Sequence, residues 1–371
     1  MSTQAPEATV SENPEPGEAD RPGLSSSLAR SFRRLDRLVL PASFLVIVVI
    51  FTLAKPGVFL TTQNLRAVLD QAVVLGVLAT GLTLVLASGD FDLSFNATIG
   101  LAGSGAVYSM SKYHFGVVAA IGVALAIGLL VGLLNGWLVA YLGADAFIIT
   151  LGVGTAVGGL EQAFTHGNTI TNGISPAYNN LATSSIVAQI QLFVFVSWAV
   201  VLALWLLSEA TGWGRSIHAI GGNRAAALNA GINVKRKRLS TFVLMGVCAA
   251  IAGVILTSQS ESSYPNSGTG LLIGPYTAAF LGAALTRRRF HPGATYLGVL
   301  YLGVLATGLL ITNQAAWVIN VITGAVLVVA IVLSGQSIAR PKWVDRIMSR
   351  RSSEQPTQLA TETPPSTGQD E

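Results

Sequence analysis

The sequence predicts an all-α polytopic membrane protein, with about ten transmembrane helices in one bundle and both termini cytoplasmic. Three observations predict it. Charged residues make up 11% of the chain against 51% hydrophobic, where soluble domains carry about 25% charged residues. Apolar runs long enough to cross a hydrocarbon core of about 30 Å recur along the chain. Lys and Arg gather in alternate connections between those runs, as positively charged cytoplasmic loops do.

The expected spans are 38–54, 66–88, 92–110, 115–142, 146–164, 186–208, 239–258, 269–285, 294–312 and 316–334. Helices are the default, because lipid cannot satisfy a free backbone amide. The 39 glycines suit close approach of helix backbones, and Gly128 and Gly132 form one small-xxx-small pair on an apolar face. Arg30, Arg33, Arg34 and Arg37 precede span one and place the N-terminus inside. Parity then puts three basic segments inside: Arg215, Arg224 and Lys235 to Arg238 after span six, Arg287 to Arg289 after span eight, and Arg340 to Arg351 after span ten. Lys55, Arg66 and Lys112 fall outside. One span more or fewer before residue 214 would break this pattern.

The ends are polar and rich in Ser, Thr, Pro and Glu, so 1–30 and 350–371 are expected to be disordered cytoplasmic tails around a transmembrane domain at 38–335. The chain opens on a polar segment without a signal-peptide pattern. The single cysteine, Cys248, sits in an apolar run and supports neither a disulfide nor a metal framework. The longest external connection, 165–185, holds no Lys or Arg. It is either a solvated connector or a docking surface or gate on the outer face. LGVLATGL occurs at 75–82 and again at 302–309, an echo whose flanks do not match.

Residues 214–238, GRSIHAIGGNRAAALNAGINVKRKR, form a basic island between two blocks of spans. Asn223 is a good helix N-cap and Gly231 a good residue to end a helix. The run between them has high helix propensity. A helix of about two turns is expected there, entered through a flexible Gly221–Gly222 pair and too short to persist without packing. It is either a stiff connector or a surface presented to a cytoplasmic partner.

A second motif is SGDFDLSFN at 88–96. Asp92 reads as the N-cap of span three, its carboxylate accepting from first-turn amides. If the helix is broken there, the same residues would line a cavity. Asp70 and Glu161 are both expected to sit at the external interface, with Asp70 near the outer end of span two and spaced to pair with Arg66 one turn away. His114, His166, His218 and His291 are scattered over loops. No HExxH, GxSxG or GxxxxGK[ST] pattern occurs, so the chain offers no catalytic cluster, metal site or ATP-hydrolysing loop, and any ATP would be bound by another subunit.

Four segments, taken in order, carry a family resemblance: GDFDLS (89–94), NGWLVAYLGADAFIITLG (135–152), GRSIHAIGGNRAAALNAGINVKR (214–236) and PNSGTG (265–270). Through them the chain resembles the permease subunit of ribose-type ABC sugar importers, within the branched-chain amino acid and sugar permease superfamily. The central loop is the most specific part. The resemblance implies a dimer of permeases in the bacterial inner membrane, two cytoplasmic ABC ATPase subunits, an extracytoplasmic sugar-binding protein and no cofactor. It assigns 214–238 as the segment that couples to the ATPase, with Gly221, Gly222, Asn223, Arg224, Ala226 and Gly231 at the positions that match. Asp92, Ser94, Asn96 and Asn135 would lie along or near the translocation path.

The chain departs from the family at three points. Gly89-Asp90-Phe91 stands where the family has two glycines and an isoleucine. Phe95-Asn96 stands where it has a small residue and glycine. Ala225 follows Arg224 where the family often has glutamate, so contact with the ATPase would rest on shape and on Arg224.

The expected function is therefore the membrane-spanning subunit of an ATP-driven monosaccharide importer, not itself an enzyme, with membrane lipid as surroundings and no nucleic-acid partner. The alternative is an ion-coupled carrier of a small polar solute, which needs a charge or a broken-helix ion site at the midplane. A membrane scaffold or enzyme is disfavoured by the missing catalytic cluster.

Overall fold

The computed structural model describes residues 40–286 and 289–335. The tails expected at 1–30 and 350–371, and the basic residues assigned to them, lie outside the described residues, as do Arg287 and Arg288. All described residues except Gly335 belong to one compact unit that ends at Ser334.

That unit is helical. In order it comprises α1 (Leu40–Ala54), α2 (Thr62–Ala87), α3 (Phe95–Tyr113), α4 (Val117–Ala140), α5 (Ala146–Thr165), α6 (Pro176–Thr183), a short antiparallel pair β1 (Ser185–Val187) and β2 (Ile190–Gln191), then α7 (Leu192–Ala210). It continues with α8 (Gly212–Gly222), α9 (Arg224–Asn229), α10 (Val234–Gln259), a 3-10 turn at Thr269–Leu271 running into α11 (Ile273–Leu285), α12 (Pro292–Ile311) and α13 (Ala316–Ser334). Seven of these are long and apolar enough to cross a membrane: α2, α4, α5, α7, α10, α12 and α13. Two shorter apolar helices, α1 and Thr269–Leu285, accompany them. This is a multi-pass membrane protein.

α3 has the length of a span but a polar composition, with three serines, a threonine and a lysine. It can be polar because protein surrounds it: α4, α5 and α10 all pack against it. α2 and α10 form the centre, and α13 and α5 are the least covered. Glycines set the closest helix pair. A side chain at Gly128, Gly132 or Gly136 of α4 would meet the α10 backbone at the carbonyls of Gly246, Phe242 and Leu239, 2.2–2.9 Å away. Without Cβ atoms the two backbones touch, and that contact supplies the dispersion that holds helices together in lipid.

Two expectations about boundaries are corrected. The sixth span was expected from 186, but a hairpin occupies 185–191 and the helix starts at Leu192. The third was expected from 92, but 88–94 is non-helical and α3 starts at Phe95. The 165–185 connection also has a structured part. α6 buries Tyr178, whose hydroxyl lies 2.7 Å from Thr257 Oγ1 and donates to the Val254 carbonyl at 3.1 Å.

Candidate functional site: a carboxylate node beneath the central loop

The break between α2 and α3 brings the sequence motifs together. α2 ends because Gly89 takes φ +77°, a left-handed conformation that glycine adopts without steric cost. The chain then folds back. Gly89 N–H donates to the Leu86 carbonyl at 3.0 Å and Asp90 N–H to Val85 at 3.2 Å, the paired bonds of a Schellman stop.

This turn aims Asp90 inward, where it is 3% exposed. Arg238, in the first turns of α10 and 7% exposed, grips it with two bonds: Nε to Oδ2 at 2.7 Å and Nη2 to Oδ1 at 2.6 Å. Arg238 Nη1 also donates to the Val139 carbonyl of α4 at 3.3 Å. Arg224, the first residue of α9, reaches the same carboxylate at 3.1 Å, and Ser88 Oγ donates to Oδ2 at 3.2 Å. One buried carboxylate thus ties the end of α2, α4, the start of α10 and the exposed α9 into one network.

α9 forms as its end residues dictate. Asn223 Oδ1 accepts from Ala226 N–H at 3.0 Å. At the other end Gly231, at φ +78°, donates to Leu228, and Ile232 N–H donates to Ala227 at 3.1 Å. The glycine pair before it is no flexible entry, however. It ends a second helix, α8, and a Cβ on Gly221 would lie 2.1 Å from the Ala87 carbonyl. Gly221 therefore seats α8 directly on the end of α2, whereas Gly222 meets nothing within 4 Å.

The residues expected along the path surround the same break. Asp92 is 2% exposed and accepts from Ser94 N–H at 2.8 Å and from Ser94 Oγ at 2.7 Å. The N-cap of α3 is Ser94, so Asp92 supports the first turn from two residues upstream. Asn135 of α4 donates to Ser94 Oγ at 2.7 Å, leaving its own Oδ1 buried and unbonded. Asn96 is half-buried, and Gly268 packs on its carbonyl so closely that a Cβ there would lie 1.9 Å away. Tyr276 of α11 donates to the Asp92 carbonyl at 2.7 Å.

Four further side chains depart from expectation. Glu161 is fully buried, accepting from Ser104 Oγ at 2.8 Å and from Asn266 N–H at 3.2 Å. His218 and His291, far apart in sequence, converge on Glu209 at 3.8 and 3.7 Å. Burial and the nearby charge of Arg289 hold His218 below the usual histidine range, with Glu209 acting against them. Arg66 donates to Gln189 rather than to Asp70.

Asp70 instead faces a cleft of about 980 Å³ between α2, the end of α10, residues 269–275, α12 and α13. It lies toward the end of α2 opposite to the Gly221 contact. Among the described residues no group of three or more His, Cys, Asp or Glu side chains is placed to hold a metal ion.

A model of the family described as the branched-chain amino acid transport system permease component matches residues 64–331, from the start of α2 nearly to the end of α13. The chain belongs to this permease family. The permease is 32% identical to the ribose import permease protein of Bacillus subtilis over 296 residues, covering 79% of this chain and 91% of the relative. It is 29% identical to the ribose import permease protein of Escherichia coli over 242 residues, covering 65% and 75%. It is 27% identical to the xylose transport system permease protein of Escherichia coli over an alignment of 307 residues, covering 67% and 78%. The matched region of the permease contains every residue of the node.

Sequence reading found Asn223, Arg224 and Gly231 but missed Arg238, whose position in a run of four basic residues marked it as loop charge. It also missed Leu228, a leucine 63% exposed on α9. The signal for Leu228 was available: in a short helix that buries only Ala227, the next apolar side chain has nowhere to go but outward.

Proposed function

We propose that this permease is the membrane-spanning subunit of an ATP-driven importer for a monosaccharide. It would pair with a second permease copy and take its solute from an extracytoplasmic binding protein. The relatives' names as ribose and xylose permeases support the substrate class. The alternation of basic connections supports ten spans with both ends cytoplasmic. On that orientation α8, α9 and the start of α10 face the cytoplasm, where a separate ATPase subunit would dock.

One observation carries the coupling role. α9 is capped at both ends, bonded to the transmembrane core through Arg224 and Asp90, and still presents Leu228 outward, beside the exposed Lys235 and Arg236 in the first turn of α10. A stiff lever joined to α2, α4 and α10 through one carboxylate is suited to passing movement of an ATPase into the bundle. Asp92, Ser94, Asn96 and Asn135 would hold the broken segment of the path in shape, since their bonds are mostly made within the protein.

The test is co-purification and uptake in proteoliposomes with the cognate ATPase and binding protein. Leu228→Asp should insert and dimerise normally yet lose at least tenfold in ATPase binding. Leu228→Pro or Arg224→Glu should leave hydrolysis running while sugar uptake falls by a similar factor. Undiminished uptake in all three would sink the coupling role, and a complex that never retains an ATPase would favour an ion-coupled carrier.

A further inference from the structure

The cleft beside Asp70 is built differently from the rest of the protein. Its walls are mostly aliphatic, with polar side chains at six positions: Asp70, Gln71, Gln259, Thr269, Asn320 and Thr323. Both threonines donate to carbonyls of their own segments, Thr269 to Asn266 and Thr323 to Ile319. The other four make no hydrogen bond or ion pair among the described residues. They come from three helices: Asp70 and Gln71 from α2, Gln259 from the end of α10 and Asn320 from α13.

Unmade bonds are costly within a membrane span. Asp70 is the ninth residue of α2, about 12 Å along the helix axis from its start, in a helix long and apolar enough to cross a membrane. A carboxylate there is costly unless it faces a partner or a water-filled cavity. The nearest cation in sequence, Arg66, is held away by Gln189. A cleft that offers water or a polar solute to these groups would meet that cost.

The chemistry of the lining selects among solutes. A carboxylate only accepts hydrogen bonds and can take two neighbouring hydroxyls, while the amides of Gln71, Gln259 and Asn320 both donate and accept. No Lys, Arg or His lines the cleft. An anion would be repelled, and an amino acid would leave its own carboxylate without a positive partner. A neutral polyol has donors for Asp70 and acceptors for the amides, and the aliphatic walls suit its C–H faces. At 980 Å³ the volume is at the upper end for ligand sites, about 300–1,000 Å³, so a monosaccharide would sit there with water, loosely enough to move on.

We propose that this cleft is the outer chamber of the translocation path and that Asp70 is its sugar-contacting group, taking a neutral polyhydroxylated solute and excluding anions and amino acids. This rests on the importer reading above and names a place within it where the solute first touches the permease.

Two measurements on the full complex test it. Single cysteines at Gln71, Gln259 and Asn320, in a Cys248→Ala background, should react with a membrane-impermeant cationic methanethiosulfonate added from outside. Val328→Cys on α13, exposed but outside the cleft, should stay unreactive. If the three cleft thiols are as silent as Val328→Cys, the cleft is filled by lipid or by the second copy, and the proposal fails.

In uptake of labelled D-ribose and D-xylose, Asp70→Leu should lower the maximal rate by about tenfold or more, the cost of one charge-assisted hydrogen bond. Asp70→Asn, which still accepts a hydroxyl, should keep most of it. Equal rates for Asp70→Leu and wild type overturn the sugar contact. Loss in both variants, with both inserted and bound to the ATPase, shows that the charge itself is needed and points to a cation instead. A wild-type complex that carries no monosaccharide defeats the importer reading and this inference with it, whatever the cysteines report.

Discussion

α2 carries a carboxylate toward one end and is followed by another just past the opposite end, and the two have opposite fates. Asp90 is buried with two arginines and a serine around it. Asp70 faces an open cleft with no partner among the described residues. A carboxylate whose acceptor sites are filled by its own chain does structural work, because any movement must first break those bonds. One left unfilled at membrane depth is kept at a cost to stability, which is the mark of a group held for a ligand. The proposed roles follow that contrast: the closed node would transmit force and the open chamber would meet solute.

The sharpest way to break this contrast is to neutralise each carboxylate and measure thermal unfolding in detergent. Asp90→Ala should cost about 3–5 kcal/mol, because it leaves the buried Arg238 without its counter-charge. Arg224, 46% exposed, can turn to water and adds little to that cost. Replacing Arg238 by Met as well should restore much of the loss, since an ion pair exchanged for apolar side chains is often neutral. Asp70→Leu should leave stability unchanged or slightly raised. If Asp70→Leu destabilises as much as Asp90→Ala, the cleft is part of the packed core and the division fails.

A smaller effect separates the same two regions through glycine. At the node, Gly221→Ala drives a methyl into the Ala87 carbonyl, and backbone on backbone has little room to give. It should cost about 1–3 kcal/mol, the range of overpacking, and should also disturb the seat of α8. On the chamber wall, a Cβ at Gly324 meets nothing within 4 Å. Gly324→Ala should be tolerated or mildly stabilising, with any change confined to uptake. Equal melting temperatures for the two variants would mean that α8 is free to move off α2.

How much of this could be read from the sequence depends on how local its chemistry is. The caps of α9 were legible, because Asn223 bonds three residues ahead and Gly231 needs only its own φ. The Gly128–Gly132 contact was legible as a small-residue repeat, although its partner on α10 was not. Arg238 was not legible: one basic residue among four is buried only because α10 begins one turn earlier and rotates it onto Asp90. The Arg66–Asp70 pair failed for the opposite reason. Helical spacing allowed it, but Gln189, in the turn of a hairpin not foreseen, took the arginine. The cleft was invisible, since it needs α2, α10, α12 and α13 brought together from distant parts of the chain.

A third carboxylate lies between these extremes and gives the finest test. Glu209, at the end of α7, has two histidines beside it, His218 of α8 at 3.8 Å and His291 at the start of α12 at 3.7 Å. His291 Nδ1 accepts from Ala294 N–H at 3.2 Å, so its tautomer is fixed with the proton on Nε2, toward Glu209. His218 is held below the usual histidine range, first by burial and then by the charge of Arg289. The sign of the pH effect follows. Above a pH of about 6.5, the ordinary histidine value, His218 is neutral whether the chain is folded or not and contributes no slope. As pH falls below that value the unfolded chain takes up a proton that the folded one resists, so stability is lost progressively. The permease in detergent should therefore melt at lower temperature on going from pH 7 to pH 5.5, and His218→Gln should show a shallower decline. The effect should be smaller than either carboxylate or glycine change, because Glu209 favours the charged histidine and offsets part of the burial. An identical pH slope in the two proteins would show that His218 is open to water in solution and that the junction of α7, α8 and α12 is looser than the node beside it.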